Sequence, residues 1–384
     1  MRGHLHHLRR DERGMSLVFV SVAFMAMLSA TTLAIDVGMF MNSRSQAQNA
    51  ADAGALAGAV ALYYNNFNDR TSTGPAVQSA INTATANKVA GATVSVTPPD
   101  VTFPNDPTGQ PTRVQVQVFR TTERSNPVST LMGGFFGVPT ADIAAVATAE
   151  ASAANAETCV MPFTIPDRWT EKQNPPWDPG DTFDPGDVYV PLKPSPDPNT
   201  DYTGYNAERD RGLEVILKAD NGSKITASFY NPWDLPGSSG ASDYRANIAG
   251  CNSAVLAPGE KMSPEPGNMV GPTAQGMADR IALDPGARWE GGPGLSGCNC
   301  VQGSNSRVSP RVVIIPTYDP VVFANGAAHG KNIDLQIVSF IGFFLEDMVG
   351  GQVRGRVTPV GGIIAANKGP APTGMFPRVI RLVQ

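Results

Sequence analysis

The hydrophobic pattern of the chain begins with one long uncharged segment. From Met15 to Ile35 there is no charged residue and no proline, and most positions are apolar. A helix of about 20 such residues crosses a hydrocarbon core that is ~30 Å thick. The segment therefore predicts a transmembrane helix. The alternative is a cleaved secretory signal ending near Ala34, but the apolar run exceeds the roughly 7 to 15 residues usual in a signal.

The charges on either side of this segment predict its orientation. Four arginines precede it and one follows within a comparable distance: Arg2, Arg9, Arg10 and Arg13 before, Arg44 after. Cytoplasmic flanks carry an excess of Lys and Arg, so residues 1–13 are expected to form a cytoplasmic tail. The bulk of the chain is then expected to lie outside the cytoplasm.

An alanine-rich stretch follows, at residues 43–62, and its composition favours a continuing helix. A polar strip runs along it at Gln46, Asn49 and Asp52. Small residues recur at four-residue spacing at Ala50, Gly54 and Gly58. Such a face lets another backbone approach closely. We favour packing within the chain, because helical periodicity usually marks a core. The alternative is docking on a partner helix, which includes self-association through this helix.

Short elements follow the alanine-rich stretch. A helix is predicted over Thr73–Ala90, where Pro75 begins an apolar pattern of helical period. Clean alternation predicts strands at Thr93–Thr97 and Arg113–Phe119. A short helix near residues 128–136 and a strand near residues 142–149 complete this part. The prediction is an α+β unit in which the anchor's own helix packs on a small antiparallel sheet.

The remainder of the chain is rich in Pro and Gly and predicts mainly β structure. Asp220-Asn-Gly222 is a strong hairpin signal between two candidate strands. Four further strands are predicted, at residues 311–317, 332–345, 352–359 and 378–383. The apolar run within residues 333–345 is too short for a second span. The predicted division is a tail at 1–13, a transmembrane helix at 14–37, a proximal unit at 38–157 and a distal unit at 158–384.

Composition and charge narrow the function classes. A net charge of −5 with 16% charged residues, and no basic tract, argues against nucleic-acid binding. Outside the tail the one histidine is His329, with no motif around any candidate nucleophile, so no catalytic site and no cofactor site is predicted. Two Asp-Pro-Gly-Asp segments, at 178–181 and 184–187, are interpreted as surface turns rather than a calcium site.

Cysteine is the candidate site chemistry. All four cysteines follow the apolar segment, and an even number in an oxidising compartment predicts disulfides: Cys159, Cys251, Cys298 and Cys300. A ring closed between Cys298 and Cys300 is expected to be strained, so each is predicted to pair with one of the two distant cysteines. A zinc site is the alternative, although paired Cys-x-x-Cys spacing is lacking.

The N-terminal residues resemble a known family signature. The stretch from Ala34 to Gly38 (AIDVG), with Asp36 and Gly38, follows the apolar span, and QAQNAADAGALAG, with Asn49 and Asp52, follows in turn. This order is similar to the start of the TadE/TadG-like proteins of Tad (tight adherence) pilus assembly. A weaker similarity continues over residues 129–151. Pilin-type members carry Glu at the fifth position after their processing site, where this chain has Phe19, so the chain looks closer to the TadG type.

The resemblance implies a non-catalytic structural or assembly component of a Tad, or Flp-type, pilus or secretion system. It implies an anchor in the bacterial cytoplasmic membrane and other Tad proteins as partners. The alternative is a membrane-anchored module that binds a carbohydrate or another ligand, with stacking platforms supplied by Trp169, Trp177, Trp233 and Trp289.

Overall fold

The computed structural model describes residues 13–65, 68–107, 109–193, 201–219, 224–292, 295–306, 308–327 and 335–383. The predicted tail up to residue 12, the predicted turn at 220–222 and His329 lie outside the described residues. The helices are α1 (Arg13–Tyr64), α2 (Pro75–Ala86), η1 (Pro98–Asp100), η2 (Gly133–Phe136), α3 (Gly240–Ala249), α4 (Val270–Ala282) and α5 (Pro320–Ala327), of which η1 and η2 are 3-10 helices.

The first eight strands are β1 (Lys88–Val89), β2 (Ala92–Thr93), β3 (Val101–Thr102), β4 (Arg113–Arg120), β5 (Val128–Ser129), β6 (Thr140–Ala141), β7 (Ile143–Ala153) and β8 (Phe163–Pro166). The others are β9 (Glu214–Ala219), β10 (Phe229–Asp234), β11 (Lys261–Pro264), β12 (Arg288–Gly292), β13 (Leu295–Gln302), β14 (Val312–Tyr318), β15 (Leu335–Gln336), β16 (Ser339–Val349), β17 (Gln352–Thr358) and β18 (Arg378–Val383). These elements make an α+β protein, as predicted.

Helix α1 is continuous over 52 residues, which is about 78 Å at the ~1.5 Å rise of an α-helix. Every described side chain from Met15 to Ala30 is exposed. Hydroxyl groups in this half bond to carbonyl oxygens of the preceding turn, as Ser21 Oγ does to Leu17 O at 2.8 Å. An apolar surface with its polar groups satisfied inside the helix suits lipid. The helix is long and apolar enough to cross a membrane.

The second half of α1 packs on a four-stranded antiparallel sheet, the proximal sheet, in the order β18-β7-β4-β3. Helix α2 lies beside α1, and small side chains fill the space between the helices and the sheet. Strand β18 comes from the end of the chain. Its position in the sequence places it in the predicted distal unit, but it pairs with β7 along its whole length, from Arg378 opposite Ala153 to Val383 opposite Thr148.

Two glycines of α1 allow this close approach. A Cβ atom on Gly54 would lie 2.9 Å from Ala84 Cβ and 3.0 Å from Ala80 O of α2. A Cβ atom on Gly58 would lie 2.8 Å from Val114 Cγ1 of β4. Contacts this short are not tolerated between real atoms, so both positions require glycine. The face that includes Ala50, Gly54 and Gly58 is therefore covered by the chain itself, and self-association would need another face of α1.

Two local predictions in the proximal part were wrong in extent. The short helix expected near 128–136 is instead a two-stranded hairpin, β5 with β6, that carries η2 in its loop. Two adjacent glycines, Gly133 and Gly134, disfavour an α-helix there. The strand expected at 93–97 is reduced to β2 and an isolated bridge from Ser95 to Phe119.

The distal part contains an eight-stranded sheet, the distal sheet, in the order β15-β11-β10-β8-β14-β16-β17-β9. Strand β9 also pairs with β10, so six of its strands close on themselves. The hairpin predicted around residues 220–222 is wrong in its pairing. Strand β10 begins at Phe229 and runs parallel to β9, with Phe229 opposite Lys218. Helices α3, α4 and α5 were not predicted.

We predict that bulk at the packed face of α1 destabilises the protein. Leucine in place of Gly54 gains roughly 0.8 kcal/mol of helix propensity, but overpacking costs about 1 to 3 kcal/mol. The Gly54→Leu variant should therefore melt at a lower temperature and accumulate less than the unmodified protein.

Gly38→Leu is the matched control on the same helix. Nothing lies within 4 Å of a Cβ atom built on Gly38, so this variant should melt at or above the temperature of the unmodified protein. Equal melting temperatures for the Gly54→Leu and Gly38→Leu variants would contradict the packing described here.

Candidate functional site

The first candidate site lies where α1 leaves its apolar segment. The Asp36 carboxylate is 6% exposed and accepts three backbone N–H groups from the start of the η2 loop. Leu131 N donates to Oδ1 at 2.9 Å and Gly133 N donates to Oδ2 at 2.7 Å. Met132 N lies 3.2 Å from Oδ2 and 3.3 Å from Oδ1. Bonds to an ionised acceptor are stronger than bonds between neutral groups, so Asp36 fixes this loop to the helix.

The loop that Asp36 holds is closed by its own hydrogen bonds. Thr130 Oγ1 donates to Val138 O at 2.8 Å, and Val138 N donates to Gly133 O at 2.9 Å. Glycine is required at Gly133, because a Cβ atom there would lie 2.6 Å from Val138 O. The backbone of Gly133 can therefore approach both the carboxylate and the far side of the loop.

The remaining signature residues of α1 have different surroundings. Gly38 and Asn49 are exposed, and Asp52 accepts a hydrogen bond from Gln48 Nε2 at 2.9 Å on the helix surface. The two glutamines near them attach α1 to neighbouring elements. Gln46 Oε1 accepts Ala90 N at 2.8 Å, and Gln48 Nε2 donates to Val146 O at 3.1 Å.

The second candidate site is the opposite end of α1, where the helix meets the distal part. The Arg211 guanidinium donates to the carbonyl oxygens of Tyr63, Tyr64 and Asn65, at 2.6 Å in the case of Tyr64. The last carbonyls of a helix have no partner within the helix, and a cation there also opposes the helix dipole. Tyr63 Oη donates to Phe376 O at 2.7 Å. Neither contact was predicted from the sequence, because Arg211 and Phe376 lie far from the end of α1 along the chain.

A buried carboxyl group lies next to this junction. Glu157 is 2% exposed, and among the described residues its Oε1 atom has no hydrogen-bond partner. Burial raises the pKa of the Glu157 carboxyl to about 9. Burial, together with the Glu157 charge, raises the pKa of the Tyr64 hydroxyl to about 12. Glu157 is therefore protonated and neutral in the folded protein near pH 7.

All four cysteines form disulfides, but the predicted pairing is wrong. Cys159 bonds to Cys251, and Cys298 bonds to Cys300. The short ring is possible because Asn299 takes a φ of 50°, which brings the two flanking Cα atoms to 5.2 Å, within the range for disulfides. Asn299 then points inward, where Nδ2 donates to Arg211 O at 3.1 Å and Oδ1 accepts Trp289 Nε1 at 3.2 Å.

The tryptophans pack as structural side chains. Trp169 and Trp233 are 1% and 2% exposed, so neither presents a ring face to a ligand. Trp177 packs edge-on against Trp169, with ring centroids 5.7 Å apart. Trp289 packs against Phe344 at 6.2 Å.

Several acidic groups of the distal part accept hydrogen bonds from within the protein. In the Asp-Pro-Gly-Asp segments the second carboxylate accepts the backbone N–H of the first residue, as Asp187 does from Asp184 at 2.9 Å, so their interpretation as turns is confirmed. Asp167 accepts Tyr202 Oη at 2.7 Å and Tyr189 Oη at 3.0 Å. Among the described residues, no three His, Cys, Asp or Glu side chains form a group that could hold a metal ion.

Together these sites define a membrane-anchored α+β protein whose anchoring helix is attached to the folded body near the membrane and at its far end. Residues 14–61 match the family model described as "Putative Flp pilus-assembly TadE/G-like". The N-terminal helix therefore carries the signature of that pilus-assembly family, as the resemblance indicated. Searches of curated proteins and of solved structures each found no significant match.

We predict that Glu157 makes the free energy of unfolding fall as pH rises. The pKa of about 9 in the folded state lies above the ~4.3 of an unfolded glutamate. The folded state therefore holds an extra proton between these values. This stabilisation is complete below about pH 4.3 and is lost as pH rises through the folded-state pKa.

Unfolding by denaturant should be measured from about pH 6.5 upward, because burial also raises the pKa of Asp167, to about 6. In this range the unmodified protein should lose stability with rising pH. The Glu157→Gln variant, which carries no titrating group at this position, should lose less of it. The same slope in both proteins would contradict a buried, protonated Glu157.

Proposed function

We propose that the chain is a non-catalytic structural or assembly component of a Tad (Flp-type) pilus or secretion system, closer to the TadG type than to a pilin. The observation that carries the proposal is the continuity of α1. One helix contains the apolar segment, the family match and the packed face of the proximal sheet. Such a helix joins a membrane to an assembled body without a flexible linker.

The proposed topology is a single span with the N-terminus in the cytoplasm. It rests on the four arginines before the span. The proposed organisation is the tail at 1–13, the span at 14–37, a proximal unit at 38–157 and a distal unit at 158–384, with β18 contributed back to the proximal sheet. The Cys159–Cys251 disulfide joins two loops and the Cys298–Cys300 disulfide lies within β13. Disulfides persist in an oxidising compartment, which supports this topology.

The proposed partners are the membrane and other Tad assembly proteins. The exposed side of the membrane-proximal part of α1, with Gly38 and Asn49, remains available for them. The alternative, a ligand-binding module that shares this anchor, depended on tryptophan platforms, and the two most buried rings, Trp169 and Trp233, are not accessible to a ligand.

We expect a reporter fused after Gln384 to be active only outside the cytoplasm, and the full-length chain to fractionate with membranes. Deleting the gene should abolish Flp-type pili, and the full chain should restore them. An exported version without its anchor, in which a cleavable signal replaces residues 1–35, is the control and should not restore them.

Distinct outcomes would contradict separate parts of the proposal. A soluble form beginning near Ile35 would show that the apolar segment is a signal. A form beginning at Met15 would make the chain pilin-like. Normal pili in the deletion strain would overturn the assembly role and favour the binding module.

A further inference from the structure

The loop held by Asp36 presents an apolar surface that the protein itself does not cover. Phe135 is 85% exposed, and Leu131, Phe136 and Val138 are each more than half exposed. These side chains belong to the segment Leu131–Val138, here called the aromatic loop. It contains no charged residue. Apolar side chains gathered in this way mark a contact surface rather than incidental exposure.

The position of Asp36 along α1 determines where the aromatic loop lies relative to the membrane. The apolar segment from Met15 to Ile35 has a length of about 31 Å at ~1.5 Å per residue, which matches the hydrocarbon core. Asp36 is the first charged residue after it. The carboxylate that holds the loop therefore lies at the boundary between hydrocarbon and headgroups.

The hairpin reaches this level by extending along α1 toward the membrane. Farther from the membrane, Val146 of β7 is attached to Gln48 of α1. At the hairpin loop, Gly133 is attached to Asp36. Gln48 and Asp36 are 12 positions apart in the helix, which corresponds to about 18 Å along the axis. The β5–β6 hairpin and η2 thus descend beside the helix to the membrane surface.

Backbone N–H groups of the aromatic loop have hydrogen-bond partners within the protein, as an environment poor in water requires. The N–H groups of residues 131–133 bond to Asp36. Phe135 N donates to Met132 O, Gly137 N to Gly134 O and Val138 N to Gly133 O. A backbone entering the lipid boundary must satisfy its polar groups internally, and aromatic side chains are enriched at that boundary.

We propose that the aromatic loop inserts Phe135 and Phe136 into the interface of the same bilayer that α1 spans, as a second contact beside the anchor. The occupant of this surface is lipid, because the surface is continuous with the lipid-facing part of α1 and has no charge to complement a polar partner. The contact fixes the tilt and rotation of the extracytoplasmic body relative to the membrane. The inference rests on the anchoring of α1 and not on the assembly role.

The test uses the Phe135→Trp variant of the full chain, reconstituted into vesicles with and without brominated lipids, which quench nearby indoles. At an exposed position this change should not disturb folding. The difference in fluorescence emission between this variant and the unmodified protein comes from the new indole. We expect this emission to be blue-shifted and to be quenched by the brominated lipids.

Two further tryptophan variants serve as controls. Phe24→Trp lies in the middle of the apolar segment and should be quenched if the anchor is in the bilayer. Val146 is 50% exposed and lies about 18 Å farther along the helix axis, so the indole of the Val146→Trp variant should not be quenched. Quenching at position 24 without quenching at position 135 would show that the anchor is in the bilayer and that the loop is not. That result would overturn the proposal, whether a second copy, another protein or water covers the loop.

A second measurement tests the part played by Asp36. In the Phe135→Trp protein, Asp36→Ala should release the loop, reduce the quenching and increase access of the indole to acrylamide in water. Asp52→Ala removes a carboxylate that bonds to Gln48 on the same helix and should leave the quenching unchanged. Unchanged quenching in the Asp36→Ala variant would overturn the claim that this carboxylate positions the loop.

Discussion

One helix has to satisfy two opposite packing requirements, and the rest of the structure depends on how α1 does so. Between Met15 and Ile35 it presents large apolar side chains that the protein leaves uncovered, which suits lipid. Beyond Asp36 the face packed against α2 and β4 consists mostly of small residues, and Gly54 and Gly58 lie directly against those elements. A helix with so little side chain to bury gains its stability from close approach and from groups that fix its position.

Those fixing groups have opposite charges and lie near the two ends of the extramembrane half. Asp36 accepts backbone N–H groups near the membrane, and Arg211 donates to the last carbonyl oxygens of α1. Each is buried and hydrogen-bonds to three backbone groups, which makes the junctions geometrically defined. The extramembrane half of α1 is therefore attached to the folded body near both of its ends.

Features set by local pattern were predictable, and features set by distant contacts were not. The apolar length of residues 15–35 and the composition of residues 43–62 predicted one continuous helix, and alternation predicted β4. The loop bonded to Asp36 is 95 to 97 residues away in the chain, and β18 returns from residue 378. No local periodicity of the sequence indicates such pairings. The disulfide prediction was wrong because a ring between Cys298 and Cys300 was expected to be strained, whereas Asn299 turns at positive φ and brings the two Cα atoms to 5.2 Å.

Hydrogen exchange of the full chain in lipid nanodiscs tests the continuity of α1 most directly. Backbone amides report local opening of a helix. If α1 is one rod fixed at Asp36 and Arg211, amides from residue 36 to residue 62 should exchange slowly without a break where the helix leaves the lipid. Rapid exchange confined to residues 37–45, between a protected span and a protected packed half, would show a flexible joint and contradict the account.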